Sequence, residues 1–177
     1  PEQKMEKLTI WAFHPCRSVM AWFEGLGHAL DVPLRIVTAR GMRSHRLSLG
    51  WDPAEFDHLD WRSLDDDPTR MASVLSTTTG SHHLFTGYQR DAFLRQAYRA
   101  AHARGARSGL FLEAPINWEP PGPRRLLKSF YLHWIVPKRV RFFSQEAPFM
   151  INLSGGDTRL LRRIGWSPEK LVPAGYF

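Results

Sequence analysis

Short apolar runs alternate with segments of helical period along nearly the whole chain, and this alternation restricts the fold more than any other feature. The run LTIWAF, Leu8 to Phe13, is followed by Val19, Phe23, Leu26 and Leu30 at helical spacing, then by a second apolar run from Leu34 to Val37. Strand, helix and returning strand make one βαβ unit. Further on, SHHLFTG reads as a strand ending on Gly87, and SGLFLEA reads as the next strand. Between them Gln89 to Arg104 reads as a helix burying Phe93, Ala97, Ala100 and Ala101, closed by Gly105. A helix from about Arg124 to Val136, stopped by Pro137, precedes the strand FMINLS, a helix from Asp157 to Ile164 and the extended KLVPAGYF. The pattern predicts an α/β fold, a Rossmann-like parallel sheet flanked by helices on both faces.

The stretch from Arg40 to Asp67 is less periodic. A third strand is expected near Phe56 to Leu59, and Asp67 before Pro68 reads as an N-cap with proline at the first helical position, opening a helix through about Ser76. At 177 residues the chain is expected to form a single domain over residues 1–177. With 43% hydrophobic and 23% charged residues it is neither a disordered nor a membrane-spanning type. No apolar run approaches the roughly 20 residues that a bilayer-crossing helix needs. The net charge of +7 favours polyanions, anionic membranes or phosphorylated ligands without choosing among them. Cys16 is the single cysteine, so no internal disulfide or multi-cysteine zinc site can form. Pro1 to Lys7 does not read as a signal peptide, and a reducing, cytoplasmic compartment is the expectation.

In parallel sheets ligands bind at the carboxyl ends of strands, so the residues just past each strand are the candidates. His14 follows the first strand within HPCRS, where a dinucleotide-binding enzyme would carry a GxGxxG loop. It reads either as a ligand-binding or proton-carrying group or as a plain loop histidine. Gly87 and Tyr88 follow the fourth strand and offer close backbone approach and a stacking face, or merely a tight turn. Glu113 at the end of SGLFLEA is a carboxylate at the edge of an apolar run, costly to bury unless it meets a ligand or an arginine. After the sixth strand, Gly155 and Gly156 precede a helix whose free amides could hold an anion or a sugar hydroxyl, while Asp157 reads as that helix's cap.

Three other signals carry less. The D-x-D spacing in Asp65 to Asp67 sits in a polar turn, and His82 and His83 are adjacent instead of four apart, so no metal site is expected. The segment RRLLKSFYLHWIVPKRVRFF interleaves cations with aromatics, and Arg124, Arg125, Lys128 and Trp134 are candidates for contact with an anionic membrane surface. Its plainer reading is an amphipathic helix with aromatics in the core and arginines in water. No nucleic-acid-binding motif is present, and no nucleic-acid partner is expected.

From about His83 onward the chain resembles the acceptor-side, N-terminal domain of GT-B glycosyltransferases of the family-4 type that build bacterial surface polysaccharides. The resemblance rests on LFTGYQ, LFLEAP and NLSGGDTRLLRRIGWSPEKLVPAGYF. It implies a retaining, metal-independent transfer of a sugar from a nucleotide-sugar donor to a hydroxyl of a lipid-linked or polysaccharide acceptor, with no cofactor held by this domain. It also implies a C-terminal nucleotide-sugar domain, absent from this chain, as its partner. His14, Tyr88 and Glu113 would then orient acceptor hydroxyls, Gly87, Gly155 and Gly156 would lend backbone to the cleft, and no catalytic residue would lie here. Alone, the chain would be inactive, cytoplasmic and attached peripherally to the inner face of the plasma membrane. The alternative is a stand-alone Rossmann-like binding or regulatory module that pairs with a separate catalytic domain.

Overall fold

Every residue from Leu8 to Ala12 is buried, as a strand covered on both faces must be, and this segment is strand β1. The computed structural model of the chain describes residues 6–77, 81–87, 91–112, 120–152, 158, 161–162 and 165–174. In chain order the elements are β1 (Leu8–Ala12), α1 (Arg17–Leu30), β2 (Leu34–Thr38), α2 (Ser44–Leu47), β3 (Trp61–Ser63), α3 (Pro68–Ser76), β4 (His82–Phe85), α4 (Ala92–Ala103), β5 (Arg107–Leu112), α5 (Pro123–Phe130), α6 (Val136–Glu146), β6 (Met150–Asn152) and β7 (Leu171–Pro173). The strands form a parallel sheet in the order β3-β2-β1-β4-β5-β6-β7, flanked by helices. Two compact units divide the chain, Pro1–Ser108 and Gly109–Phe177, with the boundary inside β5.

In the first unit β1 pairs with β2 on one side, Ile10 opposite Ile36, and with β4 on the other, Trp11 opposite Phe85. Strand alternation places His83 and Phe85 on one face of β4. Trp11 stacks on Phe85 with ring centroids 5.4 Å apart, and Tyr98 of α4 meets Phe85 edge-on at 5.2 Å, so α4 covers that face. From β1 through β3 the chain steps one way across the sheet, and from β3 through β5 it steps the other way. Right-handed crossovers therefore send α1 to the opposite face from α3 and α4. The buried stripe of α4 is Phe93, Leu94, Ala97, Tyr98 and Ala101; Ala100 is only half-buried, one residue off the expected stripe. Along α1 the buried positions are Met20, Phe23 and Gly27, and Leu30 is exposed.

The expected strand at Phe56 to Leu59 is displaced. Pro53–Phe56 is a 3₁₀ turn capped by Asp52, which accepts the Ala54 amide at 2.9 Å. The strand itself is Trp61–Ser63, paired with Ile36 to Thr38. Phe56 is buried as the apolar plug of the turn, so its hydrophobicity marks packing and not a strand. Asp67 caps α3 with Pro68 at the first position, as the sequence predicts.

In the second unit β5, β6 and β7 pair in parallel, Leu110 with Met150 and Met150 with Leu171. The helix read as ending at Pro137 does not end there. α5 runs into a π-helical turn, Tyr131–Ile135, and α6 continues through Pro137 as its second residue. Proline lacks an amide hydrogen, and the first positions of a helix leave that donor unused in any case. Trp166 and Leu161 are buried, and Lys170 of the short 3₁₀ turn Pro168–Lys170 donates to the carbonyls of Gln145 at 2.8 Å and Ser144 at 3.4 Å near the end of α6. A cation is favourable there, because terminal helix carbonyls lack partners. The Gly-Trp-Ser-Pro-Glu-Lys-Leu-Val-Pro stretch thus has a clear structural task in placing β7. The helix expected over Asp157 to Ile164 lies mostly outside the described residues.

Candidate functional site

After β1 the chain turns to β2, and after β4 it turns to β5, which lies on the other side. Adjacent parallel strands whose connections leave in opposite directions open a crevice between their carboxyl ends. Phe13 and His14 lead out of β1 into this region, and Thr86 and Gly87 lead out of β4. Backbone hydrogen bonds fix the rim. Thr86 N–H donates to Trp11 O at 2.8 Å, Ala39 N–H to Ala12 O at 2.8 Å, Arg40 N–H to Phe13 O at 3.0 Å, and Asp66 N–H to Ala39 O at 2.8 Å.

Two of the residues singled out in the sequence are described here. His14 is half-buried, with both ring nitrogens shielded from solvent and the ring edge-on to Phe13 at 5.1 Å. Gly87 has φ +66°, and a Cβ there would stand 3.3 Å from both Phe13 Cβ and Leu94 Cδ1. Its glycine is thus required by the turn and by the close approach of Phe13. Tyr88, Glu113, Gly155 and Gly156 lie outside the described residues.

Sequence reasoning passed over what surrounds the rim: four arginines on two aromatic rings. Arg40 and Arg43 each hold their guanidinium 4.9 Å from the Phe13 ring centre, while Arg46 and Arg17 stand 4.3 and 5.4 Å from that of Trp51. Arg40 pairs with Asp66 and lies 3.7 Å from the buried Asp91. Asp91 also caps α4 by accepting the Leu94 amide at 2.9 Å. Arg17 pairs with Glu55 through both carboxylate oxygens; that contact, opposed by burial, holds Glu55 below the usual carboxylate range. A visible signal existed, since Arg40, Arg43 and Arg46 recur every third residue just past a strand.

The acidic turn and His83 serve the fold. Asp65 accepts the Ser63 hydroxyl at 2.6 Å and faces Arg70 at 3.4 Å, Asp66 is taken by Arg40, and Asp67 accepts the Thr69 amide at 2.8 Å. His83 is buried between Trp11, whose indole N–H donates to Nδ1 at 2.9 Å, and Ser81, whose hydroxyl lies 2.9 Å from Nε2. Because Nδ1 accepts, the ring proton sits on Nε2 and is donated to Ser81. Burial, with a smaller push from His82, lowers the His83 pKa to about 4, so the ring is neutral at ordinary pH. A cavity of about 520 Å³ opens at the amino ends of the strands, between Lys7, Arg35, Arg62 and Ser81. Its three cations converge on the one carboxylate of Asp60, at 3.4, 2.9 and 3.6 Å.

In the second unit α5 buries no residue. Leu126 is 73% exposed, Leu127 70%, Phe130 55% and Trp134 62%, and Phe130 stacks with Trp134 at 6.3 Å. Arg124 and Arg125 are exposed beside them and Lys128 is half-buried. Phe143 of the segment is buried in the core. No helix among the described residues is long and apolar enough to cross a membrane.

No protein-family model matches the chain, and no curated protein sequence matches it.

Proposed function

We propose that the chain is the acceptor-side domain of a retaining GT-B glycosyltransferase that moves a sugar from a nucleotide-sugar donor to a hydroxyl of a lipid-linked or polysaccharide acceptor. The resemblance of the second half carries this reading, and the crevice between the ends of β1 and β4 supports it, because it lies where the acceptor would have to be held. In this role the domain contributes position. It brings the acceptor hydroxyl in line with the anomeric carbon when a donor-binding domain closes over it, and orientation of this kind accounts for a large share of the rate in two-substrate transfers. In this reading, as the resemblance implies, His14, Tyr88 and Glu113 are assigned to orienting acceptor hydroxyls, with backbone contributed by Gly87, Gly155 and Gly156. The donor and its diphosphate belong to the partner domain. The exposed apolar and basic surface of α5 and the π-helical turn after it, through Arg124, Arg125, Lys128 and Trp134, rests on an anionic membrane, where a lipid-linked acceptor resides.

The test joins the coding sequence that follows Phe177 to this chain and screens nucleotide sugars for binding and hydrolysis, with the 177-residue chain as control. Donor binding or hydrolysis in the longer protein alone is the expected result. Donor binding in neither form sinks the proposal and leaves the stand-alone binding module in its place.

A further inference from the structure

The four arginines around Phe13 and Trp51 are not equivalent. Arg17 and Arg40 have carboxylate partners, whereas no carboxylate among the described residues lies within ion-pair distance of Arg43 or Arg46. Arg46 is half-buried; its Nε–H is shielded from water and has no acceptor, and its Nη1 meets only the weak acceptor Cys16 Sγ at 3.5 Å. Arg43 is exposed, but at Arg46 a guanidinium N–H shielded from water without an oxygen acceptor is an unfavourable arrangement in a resting fold. It becomes favourable when an oxyanion supplies the missing acceptors. The aromatic faces of Phe13 and Trp51 hold both side chains in place, so less rotamer freedom is lost on binding. The surroundings agree in sign. Cys16 makes no side-chain cap on α1, and the first turn of α1 carries no acidic residue.

From this we infer that Arg43 and Arg46 form a subsite for an oxyanion at the carboxyl ends of β1 and β2. Resting on the acceptor reading above, the inference adds that the acceptor carries a phosphate or a carboxylate near the hydroxyl that reacts. Asp66 and Asp91 flank Arg40 and Glu55 pairs with Arg17, so four arginines against three carboxylates leave positive charge in excess beside Arg43 and Arg46.

The probes are methyl phosphate, inorganic pyrophosphate and glucuronate, titrated into the 177-residue chain. Binding is followed on the arginine Nε–Hε resonances and on the thermal midpoint, in the wild type, Arg43→Gln, Arg43→Gln/Arg46→Gln and Arg104→Gln. Arg104, exposed at the end of α4, controls for loss of one charge. Expected are saturable shifts centred on Arg43 and Arg46, with affinity about tenfold lower or worse in the double variant and unchanged in Arg104→Gln. The order of glucuronate and methyl phosphate then tells whether a carboxylate or a phosphate is preferred. Shifts spread over all arginines, equal weakening in Arg104→Gln, or no saturation would overturn the inference. Should the double variant fail to fold, Arg43→Gln and the wild-type shift pattern still decide it. Failure of donor binding in the longer protein would count against the glycosyltransferase reading alone, because these anion titrations need no donor.

Discussion

Trp11 and His83 meet diagonally across adjacent strands, and the indole proton can be accepted only by an unprotonated Nδ1. Acid therefore works against the fold at this residue. An unfolded chain takes up a proton at His83 near the ordinary value of 6.5, whereas the folded chain resists until about pH 4. Between these values the unfolded state holds more protons, so stability is fully present above about 6.5 and declines as pH falls towards 4. At pH 5 the loss is about 2 kcal/mol, from roughly 1.5 units at 1.36 kcal/mol per unit. Urea midpoints at pH 7.5 and pH 5 should separate the wild type from His83→Gln, with the variant less stable at pH 7.5 but flatter between the two. Parallel curves would mean that His83 is not the acid-sensitive group. Among the site residues, His14 and Gly87 were legible because a strand exit can be read from local pattern. The roles of Arg43 and Arg46 were not, since their isolation from carboxylates depends on where Asp66, Asp91 and Glu55 arrive in three dimensions.

Elements built around a single side chain test how local the folding code is here. Asp91 ends the loop after β4, caps α4 and approaches Arg40. Asp91→Ala should lower unfolding stability by about 1–2 kcal/mol, and Asp91→Asn, which retains the acceptor oxygen, by clearly less. Equal losses in denaturant titrations of the two variants would show that the charge towards Arg40 outweighs the cap. The long elements were readable because their apolar residues keep one period over many positions, as in β1 and α4. β3 was misplaced because a three-residue strand with half-exposed Trp61 and Ser63 leaves almost no periodic trace, while the nearby buried Phe56 leaves a loud one. The helix expected from about Arg124 to Val136 falls short of Glu146 because proline is a helix stop only in an interior position, and the π-helical turn puts Pro137 at a beginning.

At the scale of the whole molecule the net charge of +7 acquires an address. Part of it stands around Phe13 and Trp51, and part beside the exposed Leu126, Leu127, Phe130 and Trp134. Co-sedimentation with phosphatidylcholine vesicles, with and without phosphatidylglycerol, tests the second location. Binding should require the anionic lipid, weaken by roughly fivefold for each basic residue removed at about 1 kcal/mol apiece, and fall sharply in Trp134→Gln. Equal binding to neutral vesicles, or none at low salt, would remove the membrane from the proposed function.

The sheet ends on both sides in strands of three residues, β3 and β7. Pro173 cannot donate a ladder hydrogen bond, and Arg62 stands exposed on the other margin. A long, flat, apolar border would template the addition of foreign strands and seed fibrils. Along the described residues these two borders are short and interrupted, which gives a foreign strand little to pair with.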